Sequence, residues 1–125
     1  MSDISVPPSR IDEPTDTKAQ MRKGILEYCI LSILQEHPLY ASEILARLKE
    51  VKLLVVEGTL YPLLTRLKNA EILEYKWEES KSGPPRKYYN ITPKGASFLA
   101  ELHQTWGELK QAVNNVTKNH HEQNS

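Results

Sequence analysis

This 125-residue chain has little of what most catalytic or membrane proteins need. It has one cysteine, Cys29, so no internal disulfide can form. That residue sits in the apolar run Ile25–Leu34 and reads as a small buried hydrophobe rather than a reactive thiol. No apolar stretch is long enough to span a bilayer, and the N-terminus lacks the basic-then-apolar layout of a secretory signal, which points to a cytoplasmic protein. No glycine-rich phosphate loop, no Ser-His-Asp or Cys-His set and no pair of carboxylates in a plausible cleft can be found, so the chain is read as no enzyme and as needing no cofactor. His120-His121 is a polar tail without the cysteine or acidic company that metal ligation requires, and no metal site is expected. Net charge is also absent, with 16 basic residues against 16 acidic ones, which counts against a strongly basic nucleic-acid binder.

The charges are unevenly placed, and this softens that last exclusion. Residues 1–18 are rich in Ser, Pro, Asp and Thr, show no periodicity and read as a disordered, acidic tail. Without them the remainder is slightly basic, with Lys81, Arg86, Lys87 and Lys94 clustered around a proline-rich turn. At 39% hydrophobic residues the chain has material for one modest core.

A helix is expected from Gln20 to Glu36, apolar on nearly every side and therefore in need of cover beyond its own chain. His37-Pro38 stops it. A second helix is expected over Ala41–Val51, with Ile44, Leu45 and Leu48 inward, followed by a short loop. Then comes Glu57-Gly58-Thr59-Leu60-Tyr61-Pro62-Leu63-Leu64-Thr65-Arg66-Leu67. Leu60, Leu63, Leu64 and Leu67 share one helix face and predict its burial. The remaining surface holds Thr59, Tyr61, Pro62, Thr65, Arg66 and, one turn on, Asn69: hydroxyls, an aromatic, a guanidinium and an amide. Almost no carboxylate interrupts them, so they can donate to phosphates and base edges without repelling a polyanion. Two short helices in this order make a helix-turn-helix.

After Ala70 the apolar period changes. Ile72, Leu73, Tyr75 and Trp77 head a strand to about Glu79, Ser82-Gly83-Pro84-Pro85 is read as the turn, and Lys87–Ile91 as the return strand. A hairpin directly behind a helix-turn-helix is a wing, and Lys81, Arg86 and Lys87 are placed to meet a sugar-phosphate backbone. Basic residues at a hairpin tip are often merely solvated; here the hairpin follows the right helix at the right distance.

Thr92-Pro93 opens the last helix, Thr supplying an N-cap oxygen and Pro filling the first turn. Leu99, Leu102, Trp106, Leu109, Val113 and Val116 recur at steps of three and four, an a/d seam. A second protomer would cover it, through its first helix or its matching last one. Past Val116 the polar run is expected to fray. The fold class is therefore mainly α (α+β): a disordered tail over 1–18, a winged helix-turn-helix over 19–92 with helix 20–36 shared with dimerisation, a dimerisation helix over 93–118 and a polar tail over 119–125.

Gly58-Thr59-Leu60-Tyr61-Pro62-Leu63-Leu64-Thr65-Arg66-Leu67 and Pro84-Pro85-Arg86-Lys87-Tyr88-Tyr89-Asn90-Ile91-Thr92-Pro93-Lys94-Gly95 resemble the PadR family of bacterial transcriptional regulators, in particular its short members with a single C-terminal helix. The resemblance covers about Gln20 to Val116. It implies a homodimeric repressor of a pseudo-palindromic operator on double-stranded DNA, with the helix of Thr59, Tyr61, Pro62 and Arg66 in the major groove and the Lys87 hairpin on the backbone. It also implies a planar aromatic effector bound between protomers against Trp106, with Tyr28, Ser32 and His103 lining the space. Two positions depart from the family pattern. Glu71 stands near the position where a glycine commonly follows the recognition helix, so a different turn into the wing is expected, and Tyr40-Ala41-Ser42-Glu43 lacks the glycine expected near the start of the second helix. The alternative is a winged-helix protein-interaction module without specific DNA binding, which zero net charge favours.

Overall fold

The computed structural model describes residue 21 and residues 24–124, with the backbone alone over 119–124. The acidic tail over 1–18, the expected helix start at Gln20 and the side chains of His120 and His121 lie outside the described residues. The elements run α1 (Leu26–Glu36), β1 (Leu39–Tyr40), α2 (Ala41–Glu50), α3 (Glu57–Asn69), β2 (Leu73–Ser80), β3 (Gly83–Ile91) and α4 (Pro93–Asn124). The fold is mainly helical, a helix-turn-helix with a small antiparallel sheet of order β1-β3-β2 and a long last helix.

One core joins these elements. Ile30, Leu31 and Leu34 of α1, Ile44 and Leu48 of α2, Leu60, Leu64 and Leu67 of α3, Leu73 of β2, Tyr89 of β3 and Leu99 of α4 are all buried. Each such leucine or isoleucine contributes about 1.5–3 kcal/mol over leaving it in water. The stripe Leu60-Leu64-Leu67, with Leu63 half-buried beside it, fixes the roll of α3 and leaves Thr59, Tyr61, Pro62, Thr65 and Arg66 exposed.

Two helices end in the same way. Lys52 (φ 68°) and Glu71 (φ 64°) adopt left-handed backbone. In each case the next amide reaches back to the helix: Leu53 N donates to Leu48 O at 2.8 Å and Ile72 N to Leu67 O at 2.9 Å. These are Schellman closures, which glycine usually occupies because a Cβ costs energy there. The turn out of α3 thus keeps the geometry that a glycine would give, with Glu71 accepting the strain. The start of α2 needs no glycine: Tyr40 is ordinary extended backbone (φ −76°, ψ 159°), and its amide donates to Glu43 Oε1 at 2.9 Å.

Three boundaries differ from the sequence expectation. The wing turn is Lys81-Ser82, not Ser82–Pro85. Glu78 pairs with Arg86 and Ser80 with Gly83, so Glu79 alone faces Pro84 and Pro85. Two residues against one is a bulge, where prolines without N–H groups are tolerated inside a strand. Secondly, Leu39-Tyr40 forms a strand of its own, paired with Tyr89 and Tyr88. Finally, α4 continues to Asn124 instead of fraying past Val116. Polarity removes a reason to pack but does not stop a helix, and Thr117 Oγ1 takes up the Val113 carbonyl at 2.8 Å.

Candidate nucleic-acid interface

The C-terminal end of α3 is held by the joint into α4. Thr92 Oγ1 donates to Glu71 O at 2.6 Å and accepts from Gly95 N at 2.9 Å, capping α4. Lys94 Nζ donates to Ala70 O at 2.9 Å. Gly95 is required here, since a Cβ on it would stand 2.2 Å from Ile72 O. The Thr92-Pro93-Lys94-Gly95 segment therefore clamps the last turn of α3 against the base of the wing.

On one flank of α3, Tyr61 and Thr65 face the wing across a groove of about 380 Å³. Tyr40, Ala41 and Ser42 form its floor, and Trp77, Pro85, Arg86 and Lys87 its far wall. None of its lining residues is acidic. The two wing cations lie over aromatic rings on opposite faces of β3. Arg86 sits 3.8 Å from the Tyr40 ring centroid, and Lys87 is 4.7 Å and 5.5 Å from those of Tyr75 and Trp77. Such contacts orient a cation while leaving its outer N–H groups for a ligand. Burial, and then the Glu78 carboxylate that accepts its proton at 3.1 Å, raise the Tyr40 hydroxyl above its ordinary pKa. Burial also raises Tyr89. Both phenols therefore stay neutral around pH 7.

On the other flank the surroundings differ. Thr59, Pro62 and Arg66 line a second groove, about 490 Å³, together with Gly24, Leu26, Glu27 and Leu63. Arg66 Nη2 meets Glu27 Oε2 at 2.9 Å. The residues picked out of α3 thus divide between two sides of the helix. Asn69, its last residue, belongs to neither groove and lines a third concavity with Lys68, Tyr75 and Lys94. Lys81 occupies the exposed wing turn, while Arg86 and Lys87 stand further down the strand rather than at the tip. Sequence reasoning missed Glu27, Tyr40 and Trp77 as neighbours of this surface. Trp77 was reachable, because hairpin register sets it opposite Lys87; Glu27 and Tyr40 carried no local signal.

Three of the four expected effector residues come together. Tyr28 OH and His103 Nδ1 share a hydrogen bond, their rings lie 5.2 Å apart edge to face, and Trp106 stands 6.5 Å from Tyr28. Ser32 lies beside them rather than among them, lining a groove of about 300 Å³ with Tyr28, Cys29, Ile33, Arg47 and Leu53. Burial raises the Cys29 thiol above its ordinary pKa, which lowers its thiolate content.

The expected a/d seam divides as well. Leu99 is 0% exposed inside the protomer's own core, so it has no surface left for a partner, and Leu102 packs against that core. Trp106, Leu109, Val113 and Val116 remain 38%, 55%, 57% and 78% exposed. No helix among the described residues is long and apolar enough to cross a membrane.

A profile of the Transcriptional regulator PadR-like family matches residues 30–101. A PadR-like transcription factor from Bacteroides fragilis is 60% identical, with a TM-score of 0.70 over 81% of this chain and 98% of that one. A PadR-like transcriptional regulator from Bacillus cereus is 42% identical, with a TM-score of 0.71 over 78% and 95% of the two chains. A PadR family regulator from Eggerthella lenta is 30% identical, with a TM-score of 0.77 over 88% and 96%.

Proposed function

The chain belongs to the PadR-like family of transcriptional regulators, which act by binding DNA, and from that premise we propose that it is a homodimeric repressor of a pseudo-palindromic operator, released by a planar aromatic effector. Two protomers join through the apolar stripe Trp106-Leu109-Val113-Val116. Their α3 helices then enter successive major grooves about one helical turn apart (~34–36 Å). Thr65, Pro62 and Asn69 face the base edges, with Tyr61 and Thr59 toward the flanking phosphates near the positive end of the helix. Arg66 takes a phosphate or a guanine. Lys81, Arg86 and Lys87 hold the backbone beside the wing.

The observation that carries this reading is the groove between α3 and the wing, lined by Tyr61 and Thr65 of α3 and by Arg86 and Lys87 with no acidic residue among them, while the Glu78 carboxylate beside its floor is taken up by the Tyr40 hydroxyl. None of the residues lining it repels a polyanion, although the chain as a whole is neutral. Few phosphate contacts follow from so small a cationic patch, so the affinity falls less steeply with salt than it does for strongly basic binders.

The effector site uses Tyr28, His103 and Trp106 as a stacking platform between protomers, with Ser32 at its edge. No cofactor or membrane enters this reading, and the protein acts in the cytoplasm. A gel shift on DNA upstream of its own gene tests it: retardation that survives excess nonspecific competitor supports the regulator. Indifference to all DNA at low salt would instead establish a protein-interaction module. In a Trp77→Phe background, quenching of Trp106 fluorescence by an aromatic cation reports the effector site, and unchanged emission at saturation removes it.

A further inference from the structure

Every described arginine is held by a neighbour, and the three are held differently. Arg47 bonds Glu36 at 3.0 Å and reaches Glu50 at 3.7 Å, tying α1 to α2 away from the proposed DNA surface. Arg86 lies over the Tyr40 ring, 3.8 Å from its centroid. Arg66, on the outer side of α3, is gripped by a carboxylate of another helix: Glu27 of α1, at 2.9 Å. Glu27 is the more sheltered partner, with 24% of its side chain exposed against 67% for Arg66. Leu26, Pro62 and Leu63 crowd the same groove, so the carboxylate lies partly screened from water.

We infer that Glu27 is a positioning residue for DNA recognition, holding one edge of the Arg66 guanidinium so that its opposite edge is presented to the duplex. This rests on the proposed reading of α3 as the recognition helix. A guanidinium has five N–H donors in a rigid plane, and the pair with Glu27 engages Nη2. No second ion pair engages Arg66 among the described residues. A long side chain otherwise loses rotamer freedom on binding, and holding it beforehand removes that cost. An exposed ion pair contributes little to folding stability, so its main consequence lies in where it places the guanidinium.

The same turn of α1 has a second attachment. Tyr28, next in sequence, bonds His103 and neighbours Trp106 of α4. Glu27 and Tyr28 therefore connect Arg66 to the aromatic cluster on the last helix.

The test uses the full chain and the duplex that wild-type protein enriches from a randomised pool, with calf-thymus DNA as nonspecific competitor. Glu27→Gln keeps the shape and removes the charge; Glu27→Asp keeps the charge and shortens the reach. Both should fold, as circular dichroism checks. Glu27→Gln is expected to cut the specific-to-nonspecific affinity ratio about 5–30-fold, with nonspecific binding unchanged. Arg66→Ala should cut it at least as far, and the double variant no further than Arg66→Ala alone. Tighter binding of Glu27→Gln to both DNAs makes Glu27 an inhibitory latch and overturns the inference. Additive losses in the double variant also overturn it, because Glu27 would then act without Arg66. A normal ratio for Arg66→Ala overturns the inference by placing Arg66 on a phosphate, whereas a pool that enriches nothing removes the underlying reading of α3 and the inference with it.

Discussion

The two halves of α4 carry the same apolar rhythm and meet different fates. Leu99, near its start, is completely buried in the protomer's own core, whereas Leu109 and Val113 are more than half exposed. Heptad spacing says that a helix face is to be covered, not by whom. The first turns of α4 complete the protomer's own core and its joint with α3. The later turns project past that core as an uncovered stripe.

Leu99→Ala should be the most damaging change, costing about 2–5 kcal/mol of protomer stability in denaturant unfolding. Val113→Ala should alter the protomer by less than about 0.5 kcal/mol yet weaken self-association in sedimentation. If the two substitutions cost the same in unfolding at low protein concentration, the division of α4 is wrong.

The glycines repeat the contrast. A Cβ on Gly95 would strike the Ile72 backbone, so Gly95→Ala should lose roughly 2–3 kcal/mol of thermal or denaturant stability. Gly107 has nothing within 4 Å, and Gly107→Ala should gain up to about 1 kcal/mol from helix propensity. A loss at Gly107 instead would mark the place where a partner helix comes close.

The smallest effect concerns the turn out of α3. Glu71→Gly should stabilise by about 0.5–1 kcal/mol, since φ 64° suits glycine better than a residue with a Cβ. Its DNA affinity should not change, because the Schellman closure already holds the turn in place. A shifted affinity measured by gel retardation would show that the strain at Glu71 steers α3.

Local patterns were sufficient for much of this architecture. The Leu60-Leu64-Leu67 stripe announced the buried face of α3, Thr92-Pro93 the start of α4, and the alternation through Tyr75 and Trp77 the wing. What stayed hidden depends on distant partners. The strand Leu39-Tyr40 is too short for any period and exists because β3, far along the chain, offers it hydrogen bonds. The proline pair looked like a turn because its bulge can be seen only once Glu79 is placed opposite. The Glu27–Arg66 pair joins residues whose spacing carries no signal at all. The outward residues of α3 were legible as a set, yet their division between a wing flank and an α1 flank came only with packing.

Two α3 helices presented together to one duplex are the core of the proposed mode of action, and hydroxyl-radical footprinting across the promoter of its own gene probes that arrangement most directly. Two protected half-sites centred about 10 base pairs apart, both weakened together by Val113→Asp, are the predicted outcome. A single protected segment that survives Val113→Asp unchanged, or no protection at any salt concentration, would contradict it.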